Sequence, residues 1–253
     1  MKITFLGTGT SQGVPVITCD CEVCLSKNEK DKRLRSSILI EEKGKVIVID
    51  TGPDFRQQML RENVQQLDAV VFTHEHKDHI AGLDDVRAFN FKQKKDMDIY
   101  ATTETQVALK REFHYAFAEN PYPGVPQLKL TTIKDDCFKV GEVELQPINV
   151  WHYKIPVKAY RINNFTYITD ANRIEGEELD KIRGSEVIVI NALRKSDHIS
   201  HFNLAEAIEL LKELKPKKAY LTHISHYLGL HDEVQKELPD FIQIAYDGLQ
   251  IDV

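Results

Sequence analysis

The segment His74-Glu75-His76-Lys77-Asp78-His79 follows directly on the apolar run Leu67-Asp68-Ala69-Val70-Val71-Phe72-Thr73. A short run rich in valine reads as a buried strand, and the polar residues after it read as the loop at that strand's end. Such a loop can point its side chains into one pocket. Neutral imidazoles and a carboxylate make a donor set for Zn²⁺ or a similar divalent ion. A solvated polar loop is the plain alternative, but donor-type residues ordered as H-x-H-x-D-H favour a metal loop.

This motif resembles the signature of the metallo-β-lactamase fold superfamily, whose members are mostly dinuclear metal hydrolases. The resemblance implies an α+β fold, a four-layer αββα sandwich with the metals at one edge between the sheets. It further implies three ligands downstream, each at a strand end. His152 fits the first, after the alternating run Val143-Glu144-Leu145-Gln146-Pro147-Ile148-Asn149. Asp170 fits the second, closing Phe165-Thr166-Tyr167-Ile168-Thr169, and His223 fits the third, after Ala219-Tyr220-Leu221-Thr222. A lone histidine at a strand end is more often a hydrogen-bonded structural residue. These three gain weight because the first motif implies their order and context. Asp50, ending Lys45-Val46-Ile47-Val48-Ile49, takes by resemblance a supporting role, orienting ligands through hydrogen bonds.

The chain has 253 residues, 42% of them apolar, enough for one large sandwich or two small domains. No linker or low-complexity stretch divides it, and the candidate ligands run from His74 to His223, so residues 1–253 are expected to form one hydrolase domain. Strands are expected near 2–6, 36–41, 45–50, 68–73, 128–133, 137–150, 157–162, 165–169, 186–191, 217–222 and 243–253. Helices are expected near 55–63, 103–113, 175–183, 203–214 and 231–238. A net charge of −6 argues against an extensive nucleic-acid surface, leaving stretches such as Lys92-Gln93-Lys94-Lys95 and Lys215-Pro216-Lys217-Lys218 as solvated loops. The apolar run near Met1 is too short for a signal peptide and none approaches a membrane span, so the expectation is a cytoplasmic protein without a membrane partner.

Three of the four cysteines fall in Cys19-Asp20-Cys21-Glu22-Val23-Cys24. Disulfides are not expected without a secretion signal, and C-x-C-x-x-C needs one more ligand to close a tetrahedral zinc site. His226, in Thr222-His223-Ile224-Ser225-His226, is the candidate, because the turn after the strand can aim one histidine at each site. Buried cysteines or a redox-active thiol pair are the alternatives.

Here the resemblance narrows to the phosphoribosyl 1,2-cyclic phosphate phosphodiesterase (PhnP) group. It rests on Gly7-Thr8-Gly9-Thr10-Ser11-Gln12-Gly13-Val14-Pro15, on Cys19, Cys21 and Cys24, and on His223, His226 and Tyr246-Asp247-Gly248. The resemblance implies two divalent ions, Zn or Mn, and a separate structural Zn held by Cys19, Cys21, Cys24 and His226. His74, His76 and His152 would hold one catalytic ion, Asp78, His79 and His223 the other, and Asp170 would bridge them. It also implies a small cyclic or nucleotide-like phosphodiester as substrate, with Asp78 and His201 as the catalytic candidates and His201 as the general acid. Asn203 is a helix-cap candidate.

Of the remaining histidines, His114 and His231 are assigned ordinary surface or packing roles, and His198 is a lesser substrate-contact candidate beside His201. Cys137 is expected to be a small buried packing residue. Gly7-Thr8-Gly9-Thr10 lacks the spacing of a P-loop or a dinucleotide site, leaving close backbone packing beside the metals. Three other functions share the motif. A tRNA 3′-processing nuclease should carry a long basic arm, which is not evident. A lactonase or thioesterase is not separated by the metal motif itself. A PqqB-like binding protein is disfavoured by the full ligand set. The aromatic stretches around Arg87–Phe91 and His114–Pro123 fit a substrate wall, a homodimer contact or a packed cap equally well.

Overall fold

A computed structural model describes residues 1–253. The first sheet holds β1 (Lys2–Gly7), β2 (Ser37–Glu42), β3 (Lys45–Ile49), β4 (Ala69–Val71), β5 (Met97–Ala101) and β6 (Leu128–Thr132). The second holds β7 (Phe138–Val140), β8 (Val143–His152), β9 (Ile155–Ile162), β10 (Phe165–Ile168), β11 (Val187–Asn191), β12 (Lys218–Thr222) and β13 (Ile242–Ile244). The last strand, β14 (Gln250–Asp252), returns to pair antiparallel with β1. Each sheet is seven-stranded, in the orders β14-β1-β2-β3-β4-β5-β6 and β13-β12-β11-β10-β9-β8-β7.

Alternation along the strands builds the layers. Ile47 and Ile49 of β3 face inward with Tyr160, Val189 and Tyr220 of the other sheet, whereas Val48 joins an outer cluster with Phe55, Leu83 and Leu109 from helical segments. On the opposite side, Ile188 and Ile190 of β11 pack outward against Ala207 and Leu211 of the helix Leu204–Leu214. Both faces of each central strand are therefore buried, which is why these strands read as near-continuous apolar runs. The result is the α+β, four-layer αββα sandwich of the metallo-β-lactamase fold. Truncating one such residue, Ile190→Ala for example, removes packing worth about 2–5 kcal/mol.

The expected elements hold with local corrections. The span 137–150 is two strands, β7 and β8, separated by a turn in which Gly141 takes φ +60°, and β8 runs on to His152. The span 243–253 also divides, β13 closing the second sheet and β14 the first. Strand β5 was not expected. Its apolar residues Met97, Ile99 and Ala101 alternate with half-buried Asp98 and Tyr100, a weak pattern directly after a lysine-rich segment. Short helices at Lys77–Ile80 and Arg87–Gln93 escape sequence patterning because neither spans two full turns. No helix is long and apolar enough to cross a membrane.

Candidate metal centre

Three strand ends supply backbone conformations that side chains rarely adopt. Asp50 after β3, Asp170 after β10 and His223 after β12 have φ of 64°, 52° and 54°. A non-glycine residue in the left-handed region is disfavoured, and such residues collect where surrounding structure enforces a functional geometry. Their side chains meet one another through the motif histidines: Asp50 reaches His79, and Asp170 reaches both His79 and His223. Glycines let the loops close on them: a Cβ at Gly52 would stand 2.2 Å from the Asp78 carbonyl, and one at Gly82 2.1 Å from the Gly52 carbonyl.

The six-residue motif begins just beyond β4 and runs into the helix Lys77–Ile80. His74 and His79 are buried. Their Nε2 atoms lie 3.5 and 3.2 Å from Asp170 Oδ2, and His79 Nε2 is also 3.2 Å from Asp78 Oδ2. From the other sheet, His223 Nδ1 lies 2.8 Å from Asp170 Oδ1. The ligand atoms form two overlapping groups, Asp78, His79, Asp170 and His223, and His74, His76 and Asp170, each within 4.8 Å. His152 gathers instead with Asp170 and His201, its ring 5.2 Å from that of His76 and 4.5 Å from that of His201.

These contacts are not hydrogen bonds. His74 Nε2, His79 Nε2, His201 Nε2 and His223 Nδ1 are buried without a hydrogen-bond partner. A buried unpaired nitrogen costs roughly 1–3 kcal/mol. Four converging on one carboxylate at spacings near the edges of a coordination polyhedron are what a bound cation would relieve.

The far side of each ring fixes which nitrogen faces inward. His79 Nδ1 lies 2.7 Å from Asp50 Oδ2, and His152 Nδ1 lies 2.8 Å from the Ser200 carbonyl. Thr73 Oγ1 donates to Asp50 Oδ2 at 2.7 Å and is 3.0 Å from His74 Nδ1. With its proton given to Asp50, that hydroxyl can only accept from His74. All three imidazoles are thus held with Nδ1–H outward and Nε2 turned inward. Asp50 occupies the supporting position expected of it. Thr73, the Ser200 carbonyl and Thr10, whose Oγ1 lies 3.3 Å from His223 Nε2, complete the same shell. None carries a sequence signal beyond adjacency to a ligand.

Burial and charge set the protonation. Burial, with His79 nearby, holds His74 well below the ordinary histidine range, and burial brings His152 down to about 4. Burial opposes charge on His79, but Asp170, Asp78 and Asp50 around it outweigh that and raise it. Asp170 follows the converse: burial disfavours its charge, yet His223 and His79 hold it well below the carboxylate range. His201 is lowered by burial. Its Nε2 faces Asp170 Oδ2 at 3.8 Å, and its Nδ1 lies 3.1 Å from Ser200 Oγ and 3.2 Å from His198 Nδ1.

The second cluster lies where the loop after β12 meets the N-terminal segment. The Sγ atoms of Cys19, Cys21 and Cys24 stand 3.3, 3.3 and 3.5 Å from His226 Nδ1. One nitrogen cannot hydrogen-bond three sulfurs together, whereas metal distances of about 2.3 Å to sulfur and 2.0 Å to nitrogen give tetrahedral edges of roughly 3.5 Å. The backbone N–H of Cys24 donates to Cys21 Sγ and draws that thiol down to about 6, while burial pushes Cys24 up to about 11. Such a set favours a cation that takes sulfur as thiolate.

Other expectations resolve simply. Asn203 caps the helix Leu204–Leu214 in a reciprocal capping box with Glu206. His231 is a buried packing residue against Arg33, and His114 is exposed. Cys137 is exposed, not buried, because it sits in the polar loop after Asp135 and Asp136. The Gly7 and Gly9 segment packs by backbone, as expected: a Cβ at Gly7 would overlap the Arg35 carbonyl at 1.9 Å.

The chain matches the beta-lactamase superfamily domain over residues 45–224 and belongs to that family. Within it, the chain resembles a solved structure described as a new diphosphatase from the PhnP family, with a TM-score of 0.93 and 38% identity over 99% of this chain and 96% of that one. The narrower resemblance therefore holds. An octanoyltransferase of Porphyromonas gingivalis is 39% identical over 99% of this chain, which spans only 51% of that relative's length. Zn²⁺-bound PqqB from Methylobacterium extorquens shares the fold at a TM-score of 0.81, 17% identity and full coverage of both chains.

Proposed function

We propose that the protein is a dinuclear metal-dependent hydrolase that cleaves a P–O bond in a small phosphodiester or diphosphate. Residues 1–253 act as one unit, because the cleft draws side chains from both sheets. The observation that carries this reading is the position of Asp170, whose Oδ2 faces both His74 and His79 while its Oδ1 faces His223. A buried carboxylate placed between two incomplete ligand groups suits a bridge between two cations. His74, His76 and His152 would hold one, and Asp78, His79 and His223 the other. Bound there, Zn²⁺ or Mn²⁺ supplies an activated water nucleophile and neutralises phosphoryl charge. The likeness to a PhnP-family diphosphatase supports phosphorus over an acyl carbon as the centre attacked.

The protein's own groups do the rest. Asp50 and Thr73 hold His79 and His74 in the ligating tautomer, so no reorganisation is needed when substrate arrives. His201, buried beside Asp170, points Nε2 at the same space. It is the group placed to protonate the departing oxygen as general acid, acting in its imidazolium form, which burial makes the minor one at neutral pH. The octanoyltransferase relative extends well beyond the region shared with this chain, so its acyl chemistry is not carried over. The cysteine cluster is assigned a structural zinc.

The test is metal content and turnover on protein purified without added metal, with bis-p-nitrophenyl phosphate and nucleoside diphosphates as substrates. About three bound ions per chain with metal-dependent turnover is expected. His201→Ala should keep its metals and lose about 10²–10⁴-fold in kcat on substrates with poor leaving groups, with a smaller loss for p-nitrophenolate. One ion per chain and no phosphoester turnover with any divalent metal would overturn the reading.

A further inference from the structure

Beside the His/Asp cluster lies a cation with a single ion-pair partner, Asp54, and no hydrogen bond from its Nε. The Arg35 side chain is 27% exposed, and its Nε is buried without a hydrogen-bond partner. The nearest carboxylate oxygen, Asp54 Oδ2, stands 3.3 Å from that Nε and already accepts the Arg35 backbone N–H at 2.8 Å. A guanidinium carries five N–H donors in a planar fork that matches phosphate and carboxylate oxygens. Arg33 shows what a structural arginine looks like here. Its guanidinium donates to Thr8 Oγ1 and the Ala245 carbonyl and meets His231 Nδ1.

Arg35 lines a cavity of about 380 Å³ with Ser11, Gln12, Pro15, Val16 and Ile17. Ser11 and Gln12 form the middle of a turn closed by the Gly13 N–H on the Thr10 carbonyl at 2.8 Å, and neither of their own amides donates to the backbone. Successive free amides in a turn make a concavity suited to an anion. Gly13 has φ +66°, and a Cβ there would stand 3.3 Å from Arg35 Nη1, so glycine keeps the turn clear of the guanidinium.

Two neighbours of the lining residues, Thr10 and Gly52, touch the candidate metal centre. Thr10, just before the turn, reaches His223 Nε2 with its hydroxyl at 3.3 Å. A Cβ on Gly52 would lie 3.3 Å from Arg35 Cβ and 2.2 Å from the Asp78 carbonyl. An anion held by Arg35 would therefore sit next to the ligand cluster without occupying it.

We propose that Arg35 and the Ser11–Gln12 turn form an anion subsite that holds a second phosphoryl group of the substrate, beside the one being cleaved. This rests on P–O cleavage as the reaction. It selects diphosphates, or diesters whose remaining portion carries a terminal phosphate, over singly charged diesters. A contact remote from the reacting atoms is made equally in ground and transition states, so the selection appears in KM more than in kcat.

The experiment compares the metal-loaded full chain with Arg35→Met and Arg35→Lys. Substrates are a nucleoside diphosphate and bis-p-nitrophenyl phosphate, and inorganic pyrophosphate and phosphate serve as calorimetric ligands. Arg35→Met should raise KM for the nucleoside diphosphate about 10–100-fold and weaken pyrophosphate similarly, since a charge-assisted bidentate contact is lost. Phosphate binding and kcat/KM on bis-p-nitrophenyl phosphate should stay within about twofold, and Arg35→Lys should recover part of the loss. Equal losses on both substrates, or none on either, would overturn the subsite. Calorimetry separates the two ideas. Arg35-dependent preference for pyrophosphate in a protein with no turnover would keep the subsite and sink the hydrolase, and turnover indifferent to Arg35 would do the reverse.

Discussion

The His/Asp cleft and the cysteine cluster are both convergent donor sets, but they are built in opposite ways. The cleft takes its side chains from the ends of β3, β8, β10 and β12 and the loop after β4, with Asp50, Asp170 and His223 held at positive φ. The cysteine cluster takes three sulfurs from one short segment around the helix Glu22–Leu25, none of them fully buried, and borrows only His226 from the far end of the chain. Mixed nitrogen and oxygen donors around a shared carboxylate leave room for exchange and suit chemistry. Three sulfurs and a nitrogen close a tetrahedron and suit fastening. The neighbouring contacts agree: Asp31 accepts from Ser26 Oγ and from the His231 N–H, bracing the cysteine segment against the C-terminal region.

The sharpest way to break this contrast is at Asp170. Asp170→Ala should abolish turnover by at least ~10³-fold and release the paired ions while sparing the cysteine-held one, since it faces both ligand groups. Metal analysis alongside kinetics reads both effects, and retention of all ions would remove Asp170 from the bridge. Next in size, Asp50→Ala should weaken the affinity of the cleft for metal by about 10–100-fold, because His79 loses its orienting partner and Thr73 its acceptor. Competition with a chelator measures it, and unchanged affinity would make Asp50 a packing residue.

On the other side, Cys21→Ser should remove one ion and lower Tm by roughly 5–10 °C while kcat on surviving protein stays within a fewfold. A loss of kcat without a fall in Tm would reverse the assignment of the two sites.

The smallest effect concerns pH. Burial, with the charges of Arg33 and Lys30 nearby, holds His231 down at about 4 against an ordinary 6.5, Asp232 and Asp31 pulling the other way. Between those values the unfolded chain takes up a proton that the folded protein does not. Its contribution is therefore complete above about 6.5 and is lost as pH falls toward 4. Melting between pH 7 and 5.5 should show a decline of about 2–6 °C that His231→Gln makes shallower, and an unchanged slope in the variant would dismiss His231 as the cause.

Much of the candidate centre is legible in the sequence, for a local reason. Metal ligation needs particular donor atoms, and the residues carrying them sit at the ends of short apolar strands that announce themselves by composition. H-x-H-x-D-H placed the loop, the resemblance supplied the order of His152, Asp170 and His223, and C-x-C-x-x-C asked for a fourth ligand that the fold brings to it. The strands buried on both faces were equally plain, since continuous runs such as Val187–Asn191 can only be interior. β5 and the two short helices were not, because half-buried positions and single turns leave little pattern.

The amino-acid sequence by itself determined the donor chemistry and the apolar strands that carry it, because both depend on residue type and short-range order. Tertiary structure decided what depends on approach between distant segments. It joined Asp170 to both ligand groups, set Thr73 and Thr10 behind the imidazoles, parted β13 from β14 across two sheets, and brought Arg35, with its Nε unbonded, beside Ser11 and Gln12. Contacts of that kind have no signature along the chain, since each partner is an ordinary residue until folding brings the other within about 3 Å.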